Sequence, residues 1–110
     1  MIEPGFRHFY RLIKSDSATL DDFTSNLALG KQVPSDAEQA AVWDGLSMQS
    51  TLAQARRRGR WSPQLGRFIA VLRVPTDGSI RFERTFGAGH YTGWGDPATL
   101  LRLVVSVEPA

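Results

Sequence analysis

Three parts of this 110-residue chain carry side chains that could do chemistry. The densest is residues 87–96, GAGHYTGWGD, where His90 offers an imidazole for proton transfer, Tyr91 a phenol, Trp94 a stacking surface and Asp96 a carboxylate. The interleaved glycines would let a ligand approach the backbone closely. The same residues also suit a loop whose aromatics finish the core and whose Asp96 caps a helix. The second part is residues 46–51, LSMQST, with Ser47, Ser50 and Thr51 just ahead of a helical pattern. The first N–H groups of a helix lack intrahelical partners, so phosphates and ribose hydroxyls settle there; an ordinary Ser or Thr cap uses the same groups. The third is Arg11, a guanidinium in an apolar strand, which needs an anion, a carboxylate or an exposed edge beside it. Two weaker features accompany these. His8 reads as a strand histidine with its hydrogen bonds satisfied. The run Arg56-Arg57-Arg58-Gly59-Arg60-Trp61 could grip nucleic-acid phosphates with Trp61 stacking, or simply end a helix in solvent.

Several chemistries are excluded. Without cysteine there is no disulfide, no thiol nucleophile and no cysteine-ligated zinc or iron–sulfur site. Two histidines without ligand spacing argue against a metal centre. No P-loop, dinucleotide GxGxxG or nucleophile elbow is present. A net charge of +2 is a mild attraction to anions, so nucleic acid is not the favoured partner. No apolar run has the length of a signal peptide or a membrane span, and the expected location is the cytoplasm.

The residues must be positioned by one domain, 1–110, since 42% hydrophobic and 22% charged residues are ordinary globular proportions at this length. Phe6–Ile13, rich in aromatic and β-branched residues after Pro4-Gly5, predicts a central strand. Thr19, with Asp21 and Asp22 behind it, opens a helix that Gly30 stops. Ser35 and Glu38 form a capping box for a helix reaching Asp44. A short buried strand, 46–48, precedes a helix opened by Thr51 or Ser50, with Leu52 and Ala55 on its buried stripe and arginines at its C-terminal end. Residues 68–74 predict a second central strand, Asp77-Gly78 a hairpin turn, and residues 80–86 its partner. Residues 87–95 read as a glycine-rich loop, Asp96-Pro97 as a helical turn, and residues 101–107 as the last strand. The class is α+β, with a mostly antiparallel sheet.

In this layout the chain resembles the ADP-ribosyltransferase-like superfamily, in particular its small bacterial toxins, including those of toxin–antitoxin pairs. Tyr10-Arg11 corresponds to the aromatic-Arg of that group's first strand. Leu46-Ser47, with Ser50 and Thr51 following, corresponds to the strand that presents a serine ahead of a helix. The resemblance implies a split antiparallel sheet with three helices that clasps NAD. It puts Arg11 near the diphosphate and Ser47, with Thr51, near the nicotinamide ribose. Tyr91 or Trp94 would stack on nicotinamide, and His90 would activate the acceptor. The Glu-x-Glu of the arginine class has no counterpart here, which leaves Asp96 or Glu83 to stabilise charge on the ribose. The implied activity is ADP-ribosyl transfer or NAD hydrolysis, with a cognate antitoxin or a protein target as partner. The competing class is a non-catalytic protein- or RNA-binding module that uses the arginine-rich helix end.

Overall fold

The computed structural model describes residues 5–110; Pro4, read above as a break before the first strand, lies outside them. Among the described residues, six strands and three α-helices form a small α+β domain. The strands are β1 (Phe6–Ile13), β2 (Leu46–Gln49), β3 (Phe68–Pro75), β4 (Arg81–Arg84), β5 (His90–Trp94) and β6 (Val104–Pro109). The helices are α1 (Ala37–Ala41), α2 (Leu52–Trp61) and α3 (Pro97–Arg102). The strands make one sheet in the order β4-β5-β2-β1-β3-β6, and every neighbouring pair is antiparallel.

The ladders are unequal. β1 pairs with β3 along its whole length, from Phe6↔Pro75 to Ile13↔Phe68, and β2 pairs with β5 from Leu46↔Gly93 to Gln49↔His90. Between β1 and β2 the register is a single pair, Tyr10↔Gln49. The sheet is thus two three-stranded halves that part at the middle. An aromatic group joins them on one face: the Phe9 ring of β1 lies 5.0 Å from Phe82 of β4 and 5.0 Å from Tyr91 of β5. The Arg7 guanidinium covers Phe9 and Tyr91 at 4.5 and 4.6 Å, a cation–π contact.

Alternation along β3 decides the layers. Ala70, Leu72 and Val74 join Phe9, Ile13, Met48, Phe23 and Leu100 in the main core, under α3 and the 3₁₀ turn Leu20–Phe23. Ile69 faces the other way, where α2 packs across β1, β2 and β3 and buries Ala55. α2 lies so close to β1 that a methyl group on Gly59 would meet Leu12.

Five expectations need correction. Asp77-Gly78 does not join a hairpin: β4 pairs with β5 at one edge of the sheet, three strands removed from β3, whose neighbours are β1 and β6. Residues 19–30 hold only the 3₁₀ turn, because hydroxyls there compete for the backbone: Thr24 Oγ1 donates to the Leu20 carbonyl at 2.9 Å, and Ser25 Oγ accepts from the Ala28 N–H at 3.2 Å. In α1 the cap is Asp36, whose carboxylate accepts from the Gln39 N–H at 2.8 Å, and the helix stops at Ala41. The expected loop at 87–95 contains β5. Gly87 (φ 103°) and Gly89 (φ 80°) make the turn into it, and Gly93 sits in the strand where a side chain would strike Met48. Leu101 and Arg102 end α3, so the last strand begins at Val104. No helix among the described residues is long and apolar enough to cross a membrane.

Gly66 (φ 141°) abuts the Ile13 carbonyl so closely that any Cβ would overlap it, whereas Gly78 (φ 91°) faces open space. Gly66→Ala should therefore destabilise the fold by about 1–3 kcal/mol or more, and Gly78→Ala by less, since only backbone strain applies there. Paired urea melts of the two variants give the comparison.

Candidate functional site

The parting of the sheet places three chemically active residues on three neighbouring strands: Arg11 on β1, Ser47 on β2 and His90 on β5. Arg11 donates from Nε to the Asp22 carbonyl at 2.8 Å and from Nη1 to the Ser47 carbonyl at 2.8 Å. One guanidinium thus spans the gap between the halves, tying β1 to both β2 and the 3₁₀ turn. Burial pushes its pKa down to about 10, opposed by the charge of Asp22, so it stays protonated at neutral pH.

The Ser47 hydroxyl belongs to the other side of the same residue. It lies 2.9 Å from His90 Nε2. His90 Nδ1 lies 3.1 Å from the Thr85 carbonyl oxygen and 3.0 Å from Thr85 Oγ1. A carbonyl can only accept, so the ring proton belongs on Nδ1, and Nε2 is left to accept from Ser47. Thr85 Oγ1 in turn meets Thr92 Oγ1 at 2.7 Å. Burial pushes the His90 pKa down; the Thr85 hydrogen bond opposes this, and the positive charge of Arg58 adds to it. The outcome is a neutral, half-buried imidazole with its orientation fixed, hydrogen-bonded to an exposed hydroxyl. That arrangement suits a general base, or a base paired with a nucleophilic or ligand-holding hydroxyl.

Phe86 stands beside this pair. Its ring is 5.3 Å from the imidazole and edge-on to it, 49% exposed, on a backbone with φ 55°. A positive φ is costly for a bulky side chain. On the α2 side, a cleft of about 220 Å³ is lined by Gln49, Gln54, Arg57, Arg58, Trp61 and Ala88. Gln49 pairs with His90 across β2 and β5, which makes the cleft a neighbour of the imidazole.

The other residues singled out in the sequence lie elsewhere or have other duties. Thr51 caps α2, accepting from the Gln54 N–H at 3.1 Å. Tyr91 points to the opposite face from His90, into the aromatic group under Arg7. Trp94 sits four residues along β5 from His90, about 13 Å; it donates to Asp44 at 2.9 Å and stacks under Arg81 at 4.0 Å. Asp96 caps α3 through the Thr99 N–H at 3.1 Å. Glu83 is on edge strand β4, paired with Arg81 at 3.3 Å and separated from Ser47 by buried Thr92. The alternation of β5 separates Tyr91 from His90, and it was hidden because the glycines read as loop. Thr85 and Phe86 were missed altogether; only the positive-φ turn that follows β4 brings them to the imidazole. Among the described residues no group of three metal-ligating side chains exists.

Compared with protein-family models, with curated proteins and with solved structures, the chain matches none.

Two outcomes follow. Because the folded-state pKa of His90 lies below the ordinary 6.5, the unfolded chain takes up its proton first as pH falls. The stability gained from the neutral ring is complete above 6.5 and is lost as pH falls through the folded-state value. Thermal melts between about pH 5 and 8 should show this loss in the parent protein and a flatter profile in His90→Gln. Arg11→Ala leaves two carbonyls unpaired and should cost about 1–3 kcal/mol, and Arg11→Lys should recover only part of it, because an ammonium lacks the fork that reaches both oxygens. Denaturant titration of both variants measures this.

Proposed function

We propose that this chain binds NAD and cleaves its nicotinamide–ribose bond, as an ADP-ribosyltransferase-like member of a bacterial toxin–antitoxin pair. The observation that supports the reading is the pair of second-strand Ser47 and His90 on the α2 face of the sheet, with first-strand Arg11 reaching the Ser47 backbone from the opposite face. In the reaction the C1′–N bond breaks and its electron pair leaves with nicotinamide. The oxygen of water, or of an acceptor, attacks C1′ and its proton passes to His90 Nε2. Nδ1–H stays on the Thr85 carbonyl, which steadies the imidazolium that forms. The Ser47 hydroxyl, which occupies Nε2 at rest, turns to the ribose once water or the acceptor takes that position. Arg11 acts through the backbone of Ser47 and is a positioning residue. The exposed ring of Phe86 offers a π face to nicotinamide and to positive charge developing on the ribose. Asp96 and Glu83, engaged as a cap and an ion pair, are left outside the reacting group.

An antitoxin would have apolar surface to cover: Leu20, Leu27, Leu29 and Val33 are each roughly half exposed along one stretch of chain. A second reading, a non-catalytic RNA-binding module, is favoured by one observation. Arg56, Arg57, Arg58 and Arg60 are exposed next to exposed Trp61, and no carboxylate pairs with them among the described residues.

Incubation with NAD should release nicotinamide. His90→Ala and Ser47→Ala should each lower the rate by roughly 10²-fold or more while their melts stay cooperative. Absence of turnover in the parent protein, together with RNA binding that weakens steeply with salt, would instead select the second reading.

A further inference from the structure

The stripe of α2 that faces the 220 Å³ cleft combines groups that bind anions with one that stacks. Gln54, Arg57, Arg58 and Trp61 fall at i, i+3, i+4 and i+7, the spacing of a single helix face. This is the solvent side of the helix, where polar and charged side chains are expected. Here it carries two guanidiniums, an amide and an indole, while Leu52 and Ala55 do the packing against the sheet. Trp61 is 81% exposed, a large apolar ring left in solvent at the rim.

The floor of the cleft supplies an independent sign. Gln49 is only 9% exposed, and the amide atoms that make no hydrogen bond to another described residue remain accessible at the cleft. An amide open at the floor of a cleft offers a donor and an acceptor to whatever fills it. Gln54 is oriented as well: its Oε1 accepts from Ser50 Oγ at 2.7 Å, which leaves its N–H donors for the cleft. The absence of a side chain at Gly89 is what gives the Gln54 amide room.

We infer that this cleft binds the phosphate-and-base portion of a nucleotide, with Arg57 and Arg58 on the phosphates, Trp61 stacked on the base and Gln49 donating from below. Size favours a part over a whole dinucleotide, because about 220 Å³ is below the roughly 300–1,000 Å³ of pockets that enclose drug-sized ligands. The cleft on the other side of α2, about 250 Å³ beside Arg56, Arg60 and Arg67, has the charge but no stacking ring and no neighbouring base. Fork-shaped guanidiniums suit phosphate oxygens, and a planar base suits an indole face. The inference deepens the NAD reading, and rests on it for the natural ligand: the ADP half would lie along α2 and the nicotinamide ribose at Ser47 and His90. The diphosphate then falls to Arg57 and Arg58 rather than to Arg11, whose Nε and Nη1 already hold backbone carbonyls.

Calorimetric titration with ADP, pyrophosphate and adenosine separates the two contacts. The parent protein should bind ADP more tightly than either fragment. The double change Arg57→Ala/Arg58→Ala should weaken ADP about tenfold or more. Trp61→Ala should bring ADP down to the affinity of pyrophosphate and leave pyrophosphate unchanged, and Gln49→Leu should weaken ADP severalfold. No ADP binding, equal affinities across all these variants, or a single-stranded oligonucleotide that displaces ADP from a longer, strongly salt-dependent site would overturn the inference. None of these readouts involves bond cleavage. ADP binding in a protein that releases no nicotinamide therefore upholds the cleft and removes only the proposed reaction.

Discussion

The structure turns on how one guanidinium closes a sheet that does not close itself. Between β1 and β2 only Tyr10 and Gln49 are in register, so the backbone polar groups of the diverging strands need other partners. Arg11 serves the Ser47 carbonyl and, through Nε, the Asp22 carbonyl of the 3₁₀ turn. The charge it carries is tolerable because two carbonyl dipoles face it and the Asp22 charge lies nearby. Beyond this point the halves are held by Phe9, Phe82 and Tyr91 under Arg7, a contact of rings rather than of ladder bonds. A sheet built in this way has a seam: Arg11 bridges it from the core face, while Ser47 and His90 meet on the other face, between β2 and β5.

The constraint reaches the imidazole through a short path. Holding the Ser47 carbonyl sets the orientation of that residue, and its hydroxyl meets His90 on the neighbouring strand. Thr85, at the exit of β4, then fixes the other ring nitrogen. A neutral histidine whose Nδ1–H is held can accept a proton at Nε2 without turning its ring, once the Ser47 hydroxyl gives up that position. Burial does most to keep the imidazole neutral; the charge of Arg58 on α2 adds a smaller push in the same direction, which an anion in the cleft would weaken.

Much of this was legible in the sequence, and the failures have physical causes. Phe6–Ile13 and residues 68–74 were readable because buried strands need β-branched and aromatic residues; β1 and β3 pair residue for residue. The cap at Thr51 was readable because its hydroxyl has one local partner. Residues 19–30 misled because Leu20, Phe23 and Leu27 recur at helical spacing, while Thr24 and Ser25 between them bond the local backbone through their hydroxyls. Residues 87–95 misled for the opposite reason. Gly93 lies in β5 for lack of space beside Met48, not for flexibility, and local sequence does not report on space. Losing β5 meant losing its alternation, so His90 and Tyr91 read as neighbours in one loop instead of residues on opposite faces. Ser47 and His90 are 43 positions apart, and only the β2–β5 register brings them together.

The account depends most directly on the protonation of His90. Nitrogen-15 NMR of the imidazole near neutral pH, in the parent protein and in Ser47→Ala, reads it at each ring nitrogen. The account predicts a neutral ring with its proton on Nδ1 and a bare Nε2, and an Nε2 resonance that moves when the Ser47 hydroxyl is removed. A proton found on Nε2, or a ring doubly protonated at that pH, would contradict it.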